Sequence, residues 1–289
     1  MIVGLADWDR MLAGKRGAMP TTDQISELHD STAYHQSHAY EPNPRAHDKN
    51  WFLSELSPAE LTALRPHLTT FEMRAGDCLH YFGERIDDVV FPHAGLVALT
   101  MPLREASGAS ALLIGREGVV GGFAAVASAP ATCNAEVHIA GRASRMSAAA
   151  FRFALEESPA MRRLAARFDS SIMAQAQQTA LCNAAHQVEG RICRWLLEVH
   201  DRGANGKIPL TQSTIAQMLG VRRTTVTLVA GRLERDGVLT CRRGYMQIIN
   251  RDELERRSCE CYGRGKSYVE LLFAAQSDHD GALRSAVAK

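Results

Sequence analysis

The segment Gln212-Ser213-Thr214-Ile215-Ala216-Gln217-Met218-Leu219-Gly220-Val221-Arg222-Arg223-Thr224-Thr225-Val226-Thr227-Leu228-Val229 leaves this chain little choice of fold. Two short helices joined by a tight turn need a small residue where they cross, a glycine at the turn, and apolar residues on their facing sides. Ala216 is the small residue, Gly220 the turn, and Ile215, Leu219, Val221, Val226 and Val229 the inward set. This is the pattern of a helix-turn-helix whose second helix runs from Thr224 to Arg235. Beyond it, Leu233-Glu234-Arg235-Asp236-Gly237 ends the helix, and Val238 to Ile249 reads as a β-hairpin turning at Arg243-Gly244, a wing. Between residues 191 and 257, 13 Lys and Arg stand against 7 Asp and Glu, a local net of +6 in a chain whose overall charge is +1. The basic surface is therefore local, and it lies where a phosphate backbone would run.

Upstream the hydrophobic period changes twice. Trp51 to Leu68 repeats apolar residues at helical spacing, with Ser57-Pro58-Ala59-Glu60 as an N-cap, a first-turn proline and an early acid. Residues 69 to 147 alternate with period two in short runs such as Val89-Val90-Phe91 and Leu96-Val97-Ala98-Leu99, cut by Gly76-Asp77, Gly83-Glu84, His93-Ala94-Gly95 and Gly121-Gly122. That pattern predicts a β-roll or jelly roll. From Ser158-Pro159 the helical period returns through Met161, Leu164, Phe168, Ile172, Gln175, Thr179, Cys182 and His186. A stripe stepping by three or four over several turns predicts a long helix that can pair with an identical partner or pack on its own roll. The expected class is α+β: an N-terminal β-roll, a long dimerisation helix and a C-terminal winged helix-turn-helix. The expected divisions are a mobile tail over 1–46, a roll domain over 47–157, the dimerisation helix over 158–187, the DNA-binding domain over 188–257 and an extension over 258–289.

With 289 residues, about two domains fit. A spanning helix needs roughly 20 mainly apolar residues, and the two long uncharged stretches are broken by Gly121, Gly122 and Pro130 or by Gln175, Gln177 and Gln178. No membrane contact is expected. Asp7 and Asp9 interrupt the only apolar stretch of the first twenty residues, unlike a secretory signal, and seven scattered cysteines fit a reducing compartment. The expected location is the cytoplasm.

Taken together, the helix-turn-helix and the anchor Gly76-x-x-Leu79-x-x-x-Gly83-Glu84, followed by Gly95-Leu96-Val97, resemble the Crp/Fnr family of transcription regulators over about residues 50 to 257. The resemblance implies a cyclic-nucleotide-binding-like roll, a homodimer, a pseudo-palindromic double-stranded DNA operator and a contact with RNA polymerase. It also implies that the DNA-facing residues are Thr211, Gln212, Arg222, Arg223, Thr224, Thr225, Thr227, Arg232, Arg242 and Arg243, with Arg223 as the base-reading arginine. The seam residues expected from the stripe are Met161, Leu164, Phe168, Ile172, Gln175, Thr179 and Cys182.

At the effector cassette the chain departs from the family pattern. Nucleotide-binding members carry a Glu for the ribose and an Arg-Ser or Arg-Thr pair for the cyclic phosphate. Here Gly121-Gly122 puts Gly122 at the Glu position, Thr132-Cys133 stands for the Arg pair, and Ala176-Gln177 stands for the Thr-Ser pair that meets the base. A buried phosphate without its cation is left desolvated and unpaired, so cyclic nucleotide response is not expected. No cofactor is expected either. No cysteine precedes Cys78, which argues against the family's iron-sulfur cluster; Gly118 to Val126 lacks His and Cys for haem; and Cys259-Glu260-Cys261 offers two ligands where structural zinc takes four. The alternative is a cupin-like metal roll using His80, His93 and His138, fused to a DNA-binding module. No His-x-His occurs in the roll, and an enzyme is not expected.

Overall fold

The computed structural model describes residues 49–102, 110–202 and 207–268, so the tail expected over 1–46 and most of the C-terminal extension lie outside the described residues. In place of one helix between Trp51 and Leu68 there are two, α1 (Trp51–Ser54) and α2 (Pro58–Leu64), then a 3-10 turn at Arg65–His67. The break follows from Ser57. Its hydroxyl accepts from the Glu60 N–H while the Glu60 carboxylate accepts from the Ser57 N–H, a capping box that starts a new helix with proline in its first turn.

The roll comprises β1 (Thr69–Met73), β2 (Cys78–His80), β3 (Asp88–Pro92), β4 (Leu96–Thr100), β5 (Ser110–Ile114), β6 (Asn134–Ile139) and β7 (Gly141–Ser147). Two antiparallel sheets face each other, ordered β1-β7-β3 and β2-β6-β4-β5. Gly95 sits at φ +91° in the corner between β3 and β4, where an added Cβ would meet the Ile139 carbonyl oxygen at 2.5 Å. The corner requires glycine. Helix α3 (Gly122–Ala127) lies between β5 and β6, and α4 (Ala148–Glu157) continues directly from β7. Neither helix was foreseen from the sequence, because both sit within or beside stretches read as strand and turn.

Phe52, Phe91 and Phe151, from α1, β3 and α4, meet at the centre of the roll with ring centroids 5.9, 6.4 and 6.0 Å apart. Beside them Asn50 is fully buried, but its amide donates to the carbonyls of Pro92 and Gly118, and its oxygen caps α1 through the Leu53 N–H. A buried amide with every such group satisfied pins the chain entry to the roll without an unpaired polar atom.

Helix α5 (Pro159–Ala185) is followed at once by α6 (Val188–Asp201), and then by β8 (Lys207–Ile208), α7 (Gln212–Leu219), α8 (Arg223–Arg235), β9 (Leu239–Arg242), β10 (Tyr245–Ile248) and α9 (Arg251–Arg257). Residues 261–268 are helical as well. The small sheet is ordered β8-β10-β9. Two cores result. One fills the roll; the other runs from Leu96, Ala98 and Leu113 on the second sheet into Trp195, Leu196, Ile208, Ile215 and Val226 of the C-terminal half. Among the described residues, no helix is long and apolar enough to cross a membrane.

The stripe expected to form a dimer seam points inward instead. Met161, Leu164 and Phe168 are buried in the roll core, and Ile172 packs against it. Cys182 is buried against Cys259 and Cys261, while Gln175 accepts a hydrogen bond from Arg202 at 3.0 Å. Thr179 lines a crevice beside Arg194 and Trp195. The physical reason is that the roll leaves one flank uncovered, and the apolar face of α5 covers it. The Phe168 ring occupies the space a side chain at Gly118 would need.

Phe151→Ala removes the aromatic ring shared by α1, β3 and α4, and is expected to cost about 3 to 5 kcal/mol. Urea unfolding followed by circular dichroism measures this. A loss below about 1 kcal/mol would show that the three-ring cluster does not organise the roll.

Candidate nucleic-acid interface and roll cavity

Thr211 starts α7 by accepting the Thr214 N–H at 3.1 Å, so its side chain is a cap as well as a candidate contact. The helix ends at Gly220, whose φ of +61° lets its N–H and that of Val221 fold back on the Gln217 and Ala216 carbonyls. Ile215, Leu219, Val226 and Val229 are buried between α7 and α8, and half-buried Val221 packs against the same core. Arg191 was not singled out from the sequence. It is buried on α6 and donates from Nη2 to the Leu219 carbonyl at 2.7 Å, satisfying an orphan acceptor at the end of α7 and fixing the helix pair on α6.

The structure sorts the basic residues of this region. Arg194 pairs with Glu198, Arg202 with Glu117, Arg251 with Asp201 and Glu255, Arg257 with Glu253 and Asp236, and Arg256 with Glu253. Two candidate DNA contacts are also paired: Arg232 with Glu189 at 3.2 Å and Arg242 with Glu234 at 3.4 Å. By contrast, the exposed guanidinium groups of Arg222, Arg223 and Arg243 have no ion-pair partner among the described residues. Arg222 holds the N-cap position of α8 without a side-chain capping bond, Arg223 is its first residue, and Arg243 occupies the wing turn before Gly244 at φ +86°. The net +6 counted along the sequence thus overstates the charge available to a partner, which is left to Arg222 and Arg223 at the start of α8, Arg235 at its end, Arg243 at the tip of the wing and Lys207 on its flank.

Thr224 is exposed and Thr225 half-buried. The Thr227 hydroxyl is held by its own chain, donating to Gln212 Oε1 at 2.7 Å, so both residues of this pair meet on the outer surface of the two helices. Leu228, 68% exposed on the same surface, presents methyl groups to solvent. Lys207 lies 5.3 Å from the Tyr245 ring centroid, stiffening the flank of the wing.

In the roll, Gly121, Gly122, Thr132, Cys133 and Ala176 line one cavity of about 390 Å³, closed on one side by Phe168, Asp169, Ile172 and Met173 of α5. Gln177, the sixth cassette residue, lies outside it and is exposed. Among the described residues the lining contains no Lys or Arg. Its polar members are His80, Thr132, Cys133 and Asp169, and burial raises the Asp169 carboxyl above its ordinary value. His93 lies apart, bonded to the Ser144 hydroxyl at 2.7 Å, and His138 lies 3.7 Å from Glu136. These three histidines do not gather into a cupin-like set.

Residues 190–257 match the family model described as the Crp-like helix-turn-helix domain. The fold is similar to that of FixK2 from Bradyrhizobium japonicum at 19% identity and a TM-score of 0.58, over 66% of this chain and 98% of that one. A transcriptional regulator of the CRP/FNR family from Thermus thermophilus is similar at 23% identity and a TM-score of 0.56, covering 65% and 97%. The c-di-GMP responsive global regulator CLP from Xanthomonas campestris is similar at 14% and 0.55, covering 66% and 99%. A comparison with curated proteins gives no match.

Burial pushes the His80 imidazole from its ordinary 6.5 down to about 4, and lowers His138 in the same direction. Between those values the unfolded chain binds more protons than the folded one, so stability is present above 6.5 and is lost as pH falls toward 4. The urea midpoint is expected to drop on going from about pH 7 to about pH 5, and to drop less in His80→Leu. Equal slopes for the two proteins would mean that His80 is solvated.

Proposed function

We propose, for a chain that carries the Crp-like helix-turn-helix on the fold of the Crp/Fnr regulators, that it is a homodimer reading a pseudo-palindromic DNA site without a cyclic nucleotide. The coarse assignment, a Crp/Fnr-type transcription regulator with a helix-turn-helix DNA-binding domain, follows from the domain match and the shared fold. The observation that carries the finer reading is the sorting of charge. Most arginines around the domain are paired, while Arg222 and Arg223 at the start of α8, Arg235 at its end and Arg243 on the wing have no ion-pair partner among the described residues. An N-terminal arginine on a recognition helix can bond guanine O6 and N7 together, and a wing-tip arginine lies along the sugar-phosphate rail.

The face of α5 that turns away from the roll supports the dimer. Ala166, Ser170, Met173, Gln177, Ala180 and Ala184 are all exposed and step by four, three, four, three and four, with Leu181 65% exposed beside them. That is a heptad seam of mostly small side chains, over which two helices can approach closely. The cavity supports independence from cyclic nucleotides. A cyclic phosphate placed there would face Asp169 and no described cation.

Arg223→Ala is expected to cost about 1 to 3 kcal/mol on the preferred site and to flatten preference at one base pair per half-site. Arg243→Ala is expected to weaken all sequences alike and to lower the salt slope by about one ion per subunit. Titrations on duplexes selected from a random pool, with and without cyclic AMP, measure both. Two half-sites roughly 34 Å apart are expected, with no change on adding the nucleotide. Uniform loss in both variants would reassign Arg223 to the phosphates, and tighter binding with cyclic AMP would overturn the cavity reading.

Met173→Glu and Ala180→Glu place unpaired charge in the proposed seam, and monomers are expected in sedimentation velocity. Dimers that persist in both variants would move the interface off this face.

A further inference from the structure

The last turn of α5 and the segment after α9 come together at a cluster that neither the roll nor the DNA interface uses. Cys182, His186, Cys259 and Cys261 each offer one ligand atom, and these atoms all lie within 4.8 Å of one another. Cys182 Sγ is 3.5 Å from Cys259 Sγ, and Cys261 Sγ is 3.4 Å from His186 Nδ1. Zinc bonds of roughly 2.3 Å to sulfur and 2.0 Å to nitrogen, in a tetrahedron, put sulfurs about 3.8 Å apart and sulfur about 3.6 Å from nitrogen. The spacings fit. The two cysteines of Cys259-Glu260-Cys261 were too few alone; the fold adds Cys182 and His186, four residues apart at the end of one helix, to complete a Cys₃His set.

We infer that these four residues bind a zinc ion that clamps the end of the long helix to the segment beyond the DNA-binding domain. The surroundings are those of a metal site. His186 turns Nδ1 toward Cys261 and holds its other nitrogen, Nε2, 3.2 Å from a Glu260 carboxylate oxygen, the arrangement that fixes the ring and raises its basicity as a ligand. Gln178 donates from Nε2 to Cys261 Sγ at 2.8 Å. The three thiols form their own buried cluster, apart from both apolar cores. On binding, three thiols release their protons to solvent, so the divalent ion, three thiolates and a neutral imidazole carry a net charge of minus one. The buried Arg194 guanidinium, although paired with Glu198, lies within electrostatic reach of all three cysteines and keeps a buried Nε without a hydrogen-bond partner among the described residues. Gly190 allows the approach: its carbonyl accepts the Cys259 N–H, and a Cβ there would come within 3.3 Å of that nitrogen.

The ion would close a loop that begins at Cys182, runs through the whole helix-turn-helix and wing, and returns at Cys261. Such a closure removes freedom between α5 and the DNA-binding half. The site does not depend on what DNA the chain reads, and its test needs no DNA. Full-length protein purified without chelator is expected to hold one zinc per chain by elemental analysis, and cobalt exchanged into it should give the absorption of a tetrahedral thiolate site. Cys261→Ser and His186→Ala are expected to lose the ion, and Cys78→Ser, on β2, to keep it. Should the ligand variants fail to fold, alkylation of the wild type decides: added zinc should shield Cys182, Cys259 and Cys261 and leave Cys78 reacting at its metal-free rate. Wild-type protein that takes up no zinc or cobalt, a Cys182–Cys259 disulfide in freshly isolated protein, equal metal in Cys261→Ser, or no shielding of the three thiols would overturn the inference.

Discussion

One arginine joins the two halves of this molecule. Arg202, at the C-terminal end of α6, donates from Nε to Glu117 of the roll at 2.8 Å, from Nη1 to the Glu198 carbonyl, and from Nη2 to Gln175 of α5. Glu117 in turn accepts the Gly115 N–H. The pair is largely withdrawn from solvent, and every arm of the guanidinium ends on a different structural element. A buried charge of this kind tolerates no vacancy: with Glu117 gone, Arg202 would remain desolvated and unpaired. The roll, the long helix and the DNA-binding half are therefore referenced to one planar group.

What could be read from the sequence was what is local. The helix-turn-helix was legible because its turn, its small crossing residue and its apolar slots fall within one short segment, and the capping box at Ser57 because both partners lie three residues apart. The faces of α5 were misassigned for an equally physical reason. Both carry residues at three-and-four spacing, and the more apolar set is the one that the roll claims, leaving Ala166, Ser170, Met173 and Ala180 outside. Period tells how many faces a helix can bury, but the partner of each face is set by tertiary packing. Of the cysteine cluster only Cys259-Glu260-Cys261 was legible, because Cys182 and Cys259 are 77 residues apart and meet only with α6 to α9 folded between them.

The cavity shows how a shared shape can hold different chemistry. Its walls come from the positions the family resemblance assigns to an effector, yet Gly122, Thr132 and Cys133 leave apolar surface and short polar groups where a phosphate would need a cation. The half-buried carboxyl of Asp169, raised above its ordinary value by desolvation, faces the space and favours a hydrogen-bond donor over an anion. Because Phe168 and Ile172 serve both as cavity wall and as roll core, anything that occupies the space lies against α5 itself.

The second core has a consequence for how such a chain can be recombined. Leu96, Ala98 and Leu113 of the roll are packed into the same cluster as Trp195, Leu196 and Ile208, so the junction between halves is upholstered with side chains from both. Grafting this helix-turn-helix half onto a foreign roll would uncover an indole and several aliphatic groups unless the new sheet presented matching contours at those three places. The halves are interchangeable as cartoons and not as surfaces, and compatibility between donors should track that small patch more closely than overall sequence likeness.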